Sequence, residues 1–351
     1  MNRLKFGLFI LLALMLVLTP LLSGCAKEEG PTPPPPPEEE APPPPEPIVI
    51  RFTSVWPPVD DTIMAMKELD TIIPEATNGR VKFEQYHGGQ LYGYVEGYMA
   101  VQSGDIEMCW GGTELGPISP EWDAICGLCW LCEDEAHFLR LMETDAGKAL
   151  LDRMEAMGLK HITYLGFAGT GNICNNKHPI EKLEDFTGVK FWFPPFPKFL
   201  AQAEALGIQT VAMDPAEWNT ALEMGMVDGC IASDAGTVAW NLKEVCPYMT
   251  RSGIGFAAPY MVVNTAFWNS LPPDIQQTLQ GVFDEFAQKH QTFLRERHER
   301  VIADFEAAGG VVITITGAER DRWLEAVKPV YDQAMEDPNV AEIIEAAVSV
   351  R

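Results

Sequence analysis

The stretch PDIQQTLQGVFDEFAQKHQTFLRERHERVIADFEAA, residues 273–308, places Ile275, Leu279, Val282, Phe283, Phe286, Phe293, Leu294, Val301, Ile302 and Phe305 near a helical period. Prolines 272 and 273 open it and Gly309-Gly310 close it. At 1.5 Å per residue such a helix is about 50 Å long. That is longer than either half of the folded chain around it, so it is predicted to run along two units.

Working outward, strands and helices alternate on its N-terminal side. IVIRFTSVW (48–56) reads as a strand, stopped by Pro57-Pro58, with a helix from about 62 to 76 after it. Asn78-Gly79 turns the chain into the strand VKFEQY, and then come a glycine-containing loop, a helix over about 95–103 and the strand IEMCW. A long helix is predicted over about 133–157, before the strand KHITYL. From Gly169 the alternation restarts with ICNN, VKFWF, FLAQAEALG, IQTVAM, PAEWNTALEMG and VDGCIA, where Asp214 reads as a helix cap. The pattern is that of an α/β protein.

The N-terminus reads as an export signal: Arg3 and Lys5 precede an apolar run that closes on Leu22-Ser23-Gly24-Cys25. This end resembles a bacterial lipobox, which implies cleavage before Cys25 and a lipid on its thiol. Residues 26–47 are mostly Pro, Glu and small residues, too apolar-poor to offset chain entropy, and are expected to be an extended tether. Polyproline-like chain of about twenty residues reaches roughly 60 Å. The remainder, in a chain that is 47% hydrophobic and 10% aromatic, is globular. A formal charge of −25 argues against nucleic-acid partners and against adsorption on anionic lipid, both of which need clustered Lys or Arg.

Beyond Cys25 the cysteines are Cys109, Cys126, Cys129, Cys132, Cys174, Cys230 and Cys246, an odd set that cannot be fully paired. Cys126-x-x-Cys129-x-x-Cys132 has a metal-site spacing but no fourth ligand nearby, so the reading preferred is buried thiols on a strand. The histidines show no paired-ligand spacing, and neither a nucleophile elbow nor a phosphate loop is present. No cofactor, metal or catalytic residue is expected.

NGRVKFEQYHGGQL, VQSGDIEM, NNKHPIEKLEDFTGVKFWFP, PAEWNTALEMGMVDG and LPPDIQQTL, taken in this order, resemble the substrate-binding proteins of TRAP (tripartite ATP-independent periplasmic) transporters. The resemblance spans nearly all of residues 48–340. It implies a two-lobe periplasmic-binding-protein-like α/β fold with hinge strands crossing between lobes and the long helix bracing both. Lobe I would comprise 48–168 with about 257–296, and lobe II 169–256 with about 297–351. The implied function is that of an extracytoplasmic receptor passing a small organic solute to TRAP membrane subunits. A receptor of an ABC importer, which should lack the bracing helix, and a ligand-sensing surface lipoprotein are the alternatives.

The resemblance also implies an arginine clamp for a carboxylate on the strand KFWF, and Trp192 occupies that position. A guanidinium pairs a carboxylate with two parallel charged hydrogen bonds; an indole offers one donor and an apolar face. A second arginine of the acid-sugar branch aligns with Gly171. Three ligand readings follow. The preferred one is a neutral or aromatic solute stacked on Trp192, with Trp56, Trp110 and Tyr94 near and Asn172 or Asn175 as hydrogen-bonding groups. A cation could use the same rings with Asp234 or Glu96 as counter-charge. An organic acid could be held by Lys190, placed on the face of Trp192 by the period-two rule, or by Arg251. The remaining tryptophans are expected in packing, with Trp218 open between packing and pocket.

Overall fold

The computed structural model describes residues 46–58, 60–213 and 217–351. The export signal, Cys25, the tether up to residue 45 and the Asp214 cap fall outside them. The first part of the chain runs through β1 (Ile48–Thr53), α1 (Asp61–Met66), α2 (Leu69–Ala76), β2 (Val81–Tyr86), α3 (Tyr94–Ser103), β3 (Met108–Gly112), α4 (Pro120–Gly127), α5 (Glu135–Glu143), α6 (Asp145–Ala156) and β4 (Leu159–Tyr164). Then follow β5 (Gly169–Asn175), β6 (Lys190–Phe193), α7 (Pro197–Ala205), β7 (Gln209–Ala212), α8 (Trp218–Glu223), β8 (Gly229–Ala232), α9 (Asp234–Ala239) and β9 (Tyr248–Ala257). The chain ends through β10 (Pro259–Asn264), α10 (Thr265–Ser270), α11 (Pro273–Ala307), β11 (Val311–Thr314), α12 (Gly317–Ala334) and α13 (Pro338–Ser349).

Two sheets result, one ordered β2-β1-β3-β10-β4 and the other β11-β9-β5-β8-β6-β7. In the first, β1 runs parallel to β2 and β3 while β10 is antiparallel to β3 and β4. In the second, β6 runs parallel to β7 and β8 while β5 is antiparallel to β8 and β9. The chain crosses between sheets through two short connections, residues 165–168 joining β4 to β5 and Ala258 joining β9 to β10, and once more along α11, which leads from the first sheet to β11 in the second. The short connections are tied side by side, Leu165 N–H donating to Pro259 O and Ala168 N–H to Ala257 O, both at 2.9 Å.

The long helix α11 behaves as its periodicity predicts. Ile275, Leu279, Phe283 and Phe286 enter the core formed by Ile50, Phe52 and Phe83 of the first sheet, and Phe305, a helix length away, joins Cys174, Trp192 and Leu242 under the second. A rod anchored in both cores braces both lobes.

Three expectations are corrected. The helix over 133–157 is two helices, because Thr144 adopts an extended conformation that ends α5 while its hydroxyl accepts the Gly147 N–H and caps α6. The run AICGLCWLC is not a strand. Ser119 and Pro120 start helix α4, which ends at Gly127, and Cys129 and Cys132 lie in the turns beyond it; an apolar run this short does not declare its period. All three thiols are buried, as expected. Finally, α13, assigned with the second lobe, packs on α4, α5 and α6 of the first. Its apolar stripe Val340, Ile343, Ile344 and Ala347 is buried there, and His137 Nε2 and Arg140 Nε donate to the Ala347 and Val350 carbonyls at 2.7 Å.

Candidate functional site

Parallel strands leave their carboxyl ends facing the space between layers, where ligands of open α/β folds collect. Here Trp56 follows β1, Glu114 follows β3 on a single 3-10 turn, Pro194 follows β6 and Ser233 follows β8. These positions line one cavity of about 130 Å³, with Ala168, Ala257 and Pro259 beside the crossings at its base.

Its walls are aromatic. The Trp56 ring, from the first lobe, stacks on Trp240, from the second, at 5.6 Å between centroids and 28° between planes. Tyr94 of α3 stacks on Phe196, the residue before α7, at 5.7 Å and 18°. Both pairs cross from one lobe to the other, so the two sides of the cleft are in contact. Trp192 lies against Trp218 at 5.9 Å and Trp240 at 6.4 Å, and Trp110 and Phe199 complete the wall.

The ring N–H groups are only partly engaged. Trp110 Nε1 donates to Ser54 Oγ at 2.9 Å and Trp192 Nε1 to the Met213 carbonyl at 3.0 Å. Trp240 Nε1 is buried with no hydrogen-bond partner among the described residues. Among the described residues no lysine, arginine or histidine lines the cavity, and two carboxylates do, Asp60 and Glu114. Asp60 Oδ1 accepts the Thr62 and Ile63 N–H groups and so caps α1. Glu114 accepts from the Tyr94 hydroxyl. Burial pushes the Glu114 carboxyl up to about 7; the Tyr94 hydrogen bond opposes this and the Asp60 charge adds to it.

Of the residues singled out from sequence, Trp56, Tyr94, Trp110 and Trp192 meet in this cavity. The others do not. Lys190 begins β6, at the end of the strand away from the cleft, and its side chain is exposed; the period-two rule gave its face but not its end. Asn175 ends β5, where its Oδ1 accepts the Lys177 and His178 N–H groups at 2.9 and 3.1 Å in a turn. Asn172 donates to Asp234 Oδ1 at 2.9 Å. Asp234 is fully buried, already paired with Arg251 Nη1 at 2.9 Å and His298 Nδ1 at 2.7 Å, and outside the cavity lining. It joins α9, β9 and α11 rather than facing a solute. Glu96 is exposed on α3.

Glu114, Asp60, Phe196, Phe199 and Trp240 were missed. A usable signal existed for Glu114: an acid two residues after the apolar strand MCWGG, at its carboxyl end. Gly171 carries a further constraint. It lies at a register shift between β5 and β9, and a Cβ there would overlap the Ile254 carbonyl oxygen and the Ile231 side chain. No side chain, least of all an arginine, fits at that point without moving the backbone.

A family model described as bacterial extracellular solute-binding protein, family 7, matches residues 52–337. The C4-dicarboxylate-binding periplasmic protein DctP of Rhodobacter capsulatus is 29% identical over 294 residues, 83% of this chain and 87% of that protein. Among solved structures, a TRAP periplasmic solute-binding protein of Shewanella oneidensis with bound succinate superposes with a TM-score of 0.77 at 24% identity, over 87% of this chain and 99% of that one. One from Haemophilus influenzae with bound L-gulonate gives 0.77 at 22%, over 87% and 100%. With the two-lobe fold, the bracing helix and a cavity between the lobes already in place, the match decides the class: this chain belongs to bacterial extracellular solute-binding protein family 7 and is the solute-binding receptor of a TRAP transporter, not an enzyme.

Proposed function

We propose that this receptor takes a small organic solute presenting an apolar or aromatic face, encloses it by closure of the lobes about the two short connections, and delivers it to TRAP membrane subunits. One observation carries this reading: the cavity wall is made of indole and phenyl rings, and the two positions that the family resemblance assigns to arginine hold Trp192 and Gly171. A solute without a carboxylate needs neither arginine. The lobes would divide at residues 165–168 and 258, the two short connections through which the chain changes sheet, and along α11, which leads from one sheet to the other. The closed form would dock on the permease, and its greater affinity for that form would drive delivery.

The lipobox-like Leu22-Ser23-Gly24-Cys25 and the Pro/Glu-rich segment after it support an anchor at Cys25 on the outer face of the cytoplasmic membrane, with the receptor held off the surface. Cys25→Ser is expected to release the protein from the membrane fraction. Its retention would remove the anchor from the proposal.

The solute is tested by mass spectrometry of whatever the purified protein retains, followed by thermal shifts with carboxylates and with carboxylate-free aromatic compounds, since a ligand of the folded form raises the midpoint by mass action. Carboxylate-free compounds are expected to raise it. A retained di- or monocarboxylate, the kind of solute for which the relatives above are named, would replace this reading.

A further inference from the structure

The charges of the cavity are one-sided. Asp60 stands at the cap of α1 and Glu114 on the turn after β3, and among the described residues nothing basic lines the same space. The two carboxylates are near enough for Asp60 to raise the Glu114 carboxyl, so they repel each other when both are ionised. Glu114 is half-buried, and the Tyr94 hydroxyl is its one hydrogen-bond donor among the described residues, whereas a carboxylate has about four acceptor sites. A half-buried carboxylate with so few donors is incompletely compensated. The aromatic wall continues directly from it: Tyr94 holds Glu114, the Trp56 ring lies 6.4 Å from that of Tyr94, and Trp240 stacks on Trp56. Aromatic faces attract cations and do nothing for anions.

We infer that the solute carries a positive charge, as a primary or methylated ammonium on an apolar or aromatic body, with the ammonium between Glu114 and Asp60 and the body along the rings of Trp56, Trp192 and Trp240. The inference rests on the cavity being the solute site and adds the sign of the charge to it. An ammonium supplies the donors that Glu114 lacks and separates the two carboxylates with opposite charge. An acid of the same shape meets two like charges and no cationic partner. The roles of the two groups differ: Glu114 is the primary partner, and Asp60, whose Oδ1 is engaged by the cap, adds field.

The test uses the full chain in detergent and three probes of one shape: 3-phenylpropylamine, 3-phenylpropan-1-ol and 3-phenylpropanoate, followed by calorimetric titration at pH 8. The amine is expected to bind at least tenfold more tightly than the alcohol, and the acid more weakly than either. Glu114→Gln should weaken the amine at least tenfold and leave the alcohol within twofold. Asp60→Asn, which preserves the helix cap, should weaken the amine about threefold and serves if Glu114→Gln does not fold. Alcohol or acid binding as tightly as the amine, or an amine indifferent to both substitutions, overturns the positive charge while leaving the aromatic site standing. No binding by any of the three at millimolar concentration overturns the charge and the aromatic-solute reading together.

Discussion

Trp192 is 1% exposed, wedged against Trp218 and Trp240 with its N–H on the Met213 carbonyl, and still contributes to the cavity wall. Its removal therefore acts twice. Trp192→Ala should weaken solute binding at least tenfold, and it should also cost about 3–5 kcal/mol of stability through the void it leaves. For a domain of this size that corresponds to a midpoint lowered by roughly 6 °C or more. Differential scanning calorimetry checks the second effect; a midpoint within 2 °C or so of the parent would show that Trp192 is not the packed residue described. From sequence alone Trp192 is a pocket residue, and alignment with a clamp position says nothing of what stands behind it. Gly171 repeats the lesson, since its alignment marks a lost arginine and only the neighbouring Ile254 carbonyl explains why none can return.

At the scale of elements, α11 is joined to the second sheet by the packing of Phe305 and by a polar contact centred on one carboxylate. Asp234 receives Arg251 from β9 and His298 from α11, with Asn172 from β5 on the same oxygen as Arg251. Removing a buried partner leaves the others unpaired, so Asp234→Ala is expected to destabilise by about 2–4 kcal/mol. Urea unfolding should show the midpoint drop, and an unchanged midpoint would mean that the bracing contact is made by apolar packing alone. The sequence offered Asp234 as a counter-charge for a solute because its partners are 17 and 64 residues away. Such pairings have no local signature. By contrast α11 was legible end to end, since its prolines, its glycines and its apolar period are all local. The break at Thr144 was not, although a threonine followed three residues later by glycine could have suggested it.

For the whole molecule, the cavity carries a consequence for stability against pH. Glu114 in the folded state titrates at about 7, above the ordinary carboxylate range, so the folded chain holds that proton more tightly than the unfolded one. Its contribution is therefore present below the unfolded value and is lost as pH rises through about 7. Buried histidines act oppositely: His87, lowered by burial to about 4, and His161, lowered to about 3, favour the fold less as pH falls below the usual imidazole range. The difference between the parent and Glu114→Gln isolates the carboxyl, with Asp60, Tyr94, Tyr98 and Cys126 as the titratable groups around it. Their midpoints should agree near pH 5 and separate by pH 8, the parent becoming the less stable of the two without solute. Parallel curves would place the Glu114 titration at its ordinary value.

Periodicity, turn residues and ordered sequence blocks determined the α/β class, the two-lobe plan, the bracing helix and the receptor class, because each is written in neighbouring residues or in their order. Four aromatic members of the cavity were also legible, Trp56, Trp110 and Tyr94 from the local pattern of strands and loops and Trp192 from its place in an ordered block. The tertiary structure alone decided what the cavity offers a solute. Glu114 and Asp60 stand 54 residues apart in the chain and come together only when β1 and β3 pair. Trp56 meets Trp240, and Tyr94 meets Phe196, only when the lobes face each other. Burial, which raises the Glu114 carboxyl and removes Asp234 from solvent, is a property of the packed chain and has no value for any segment of it.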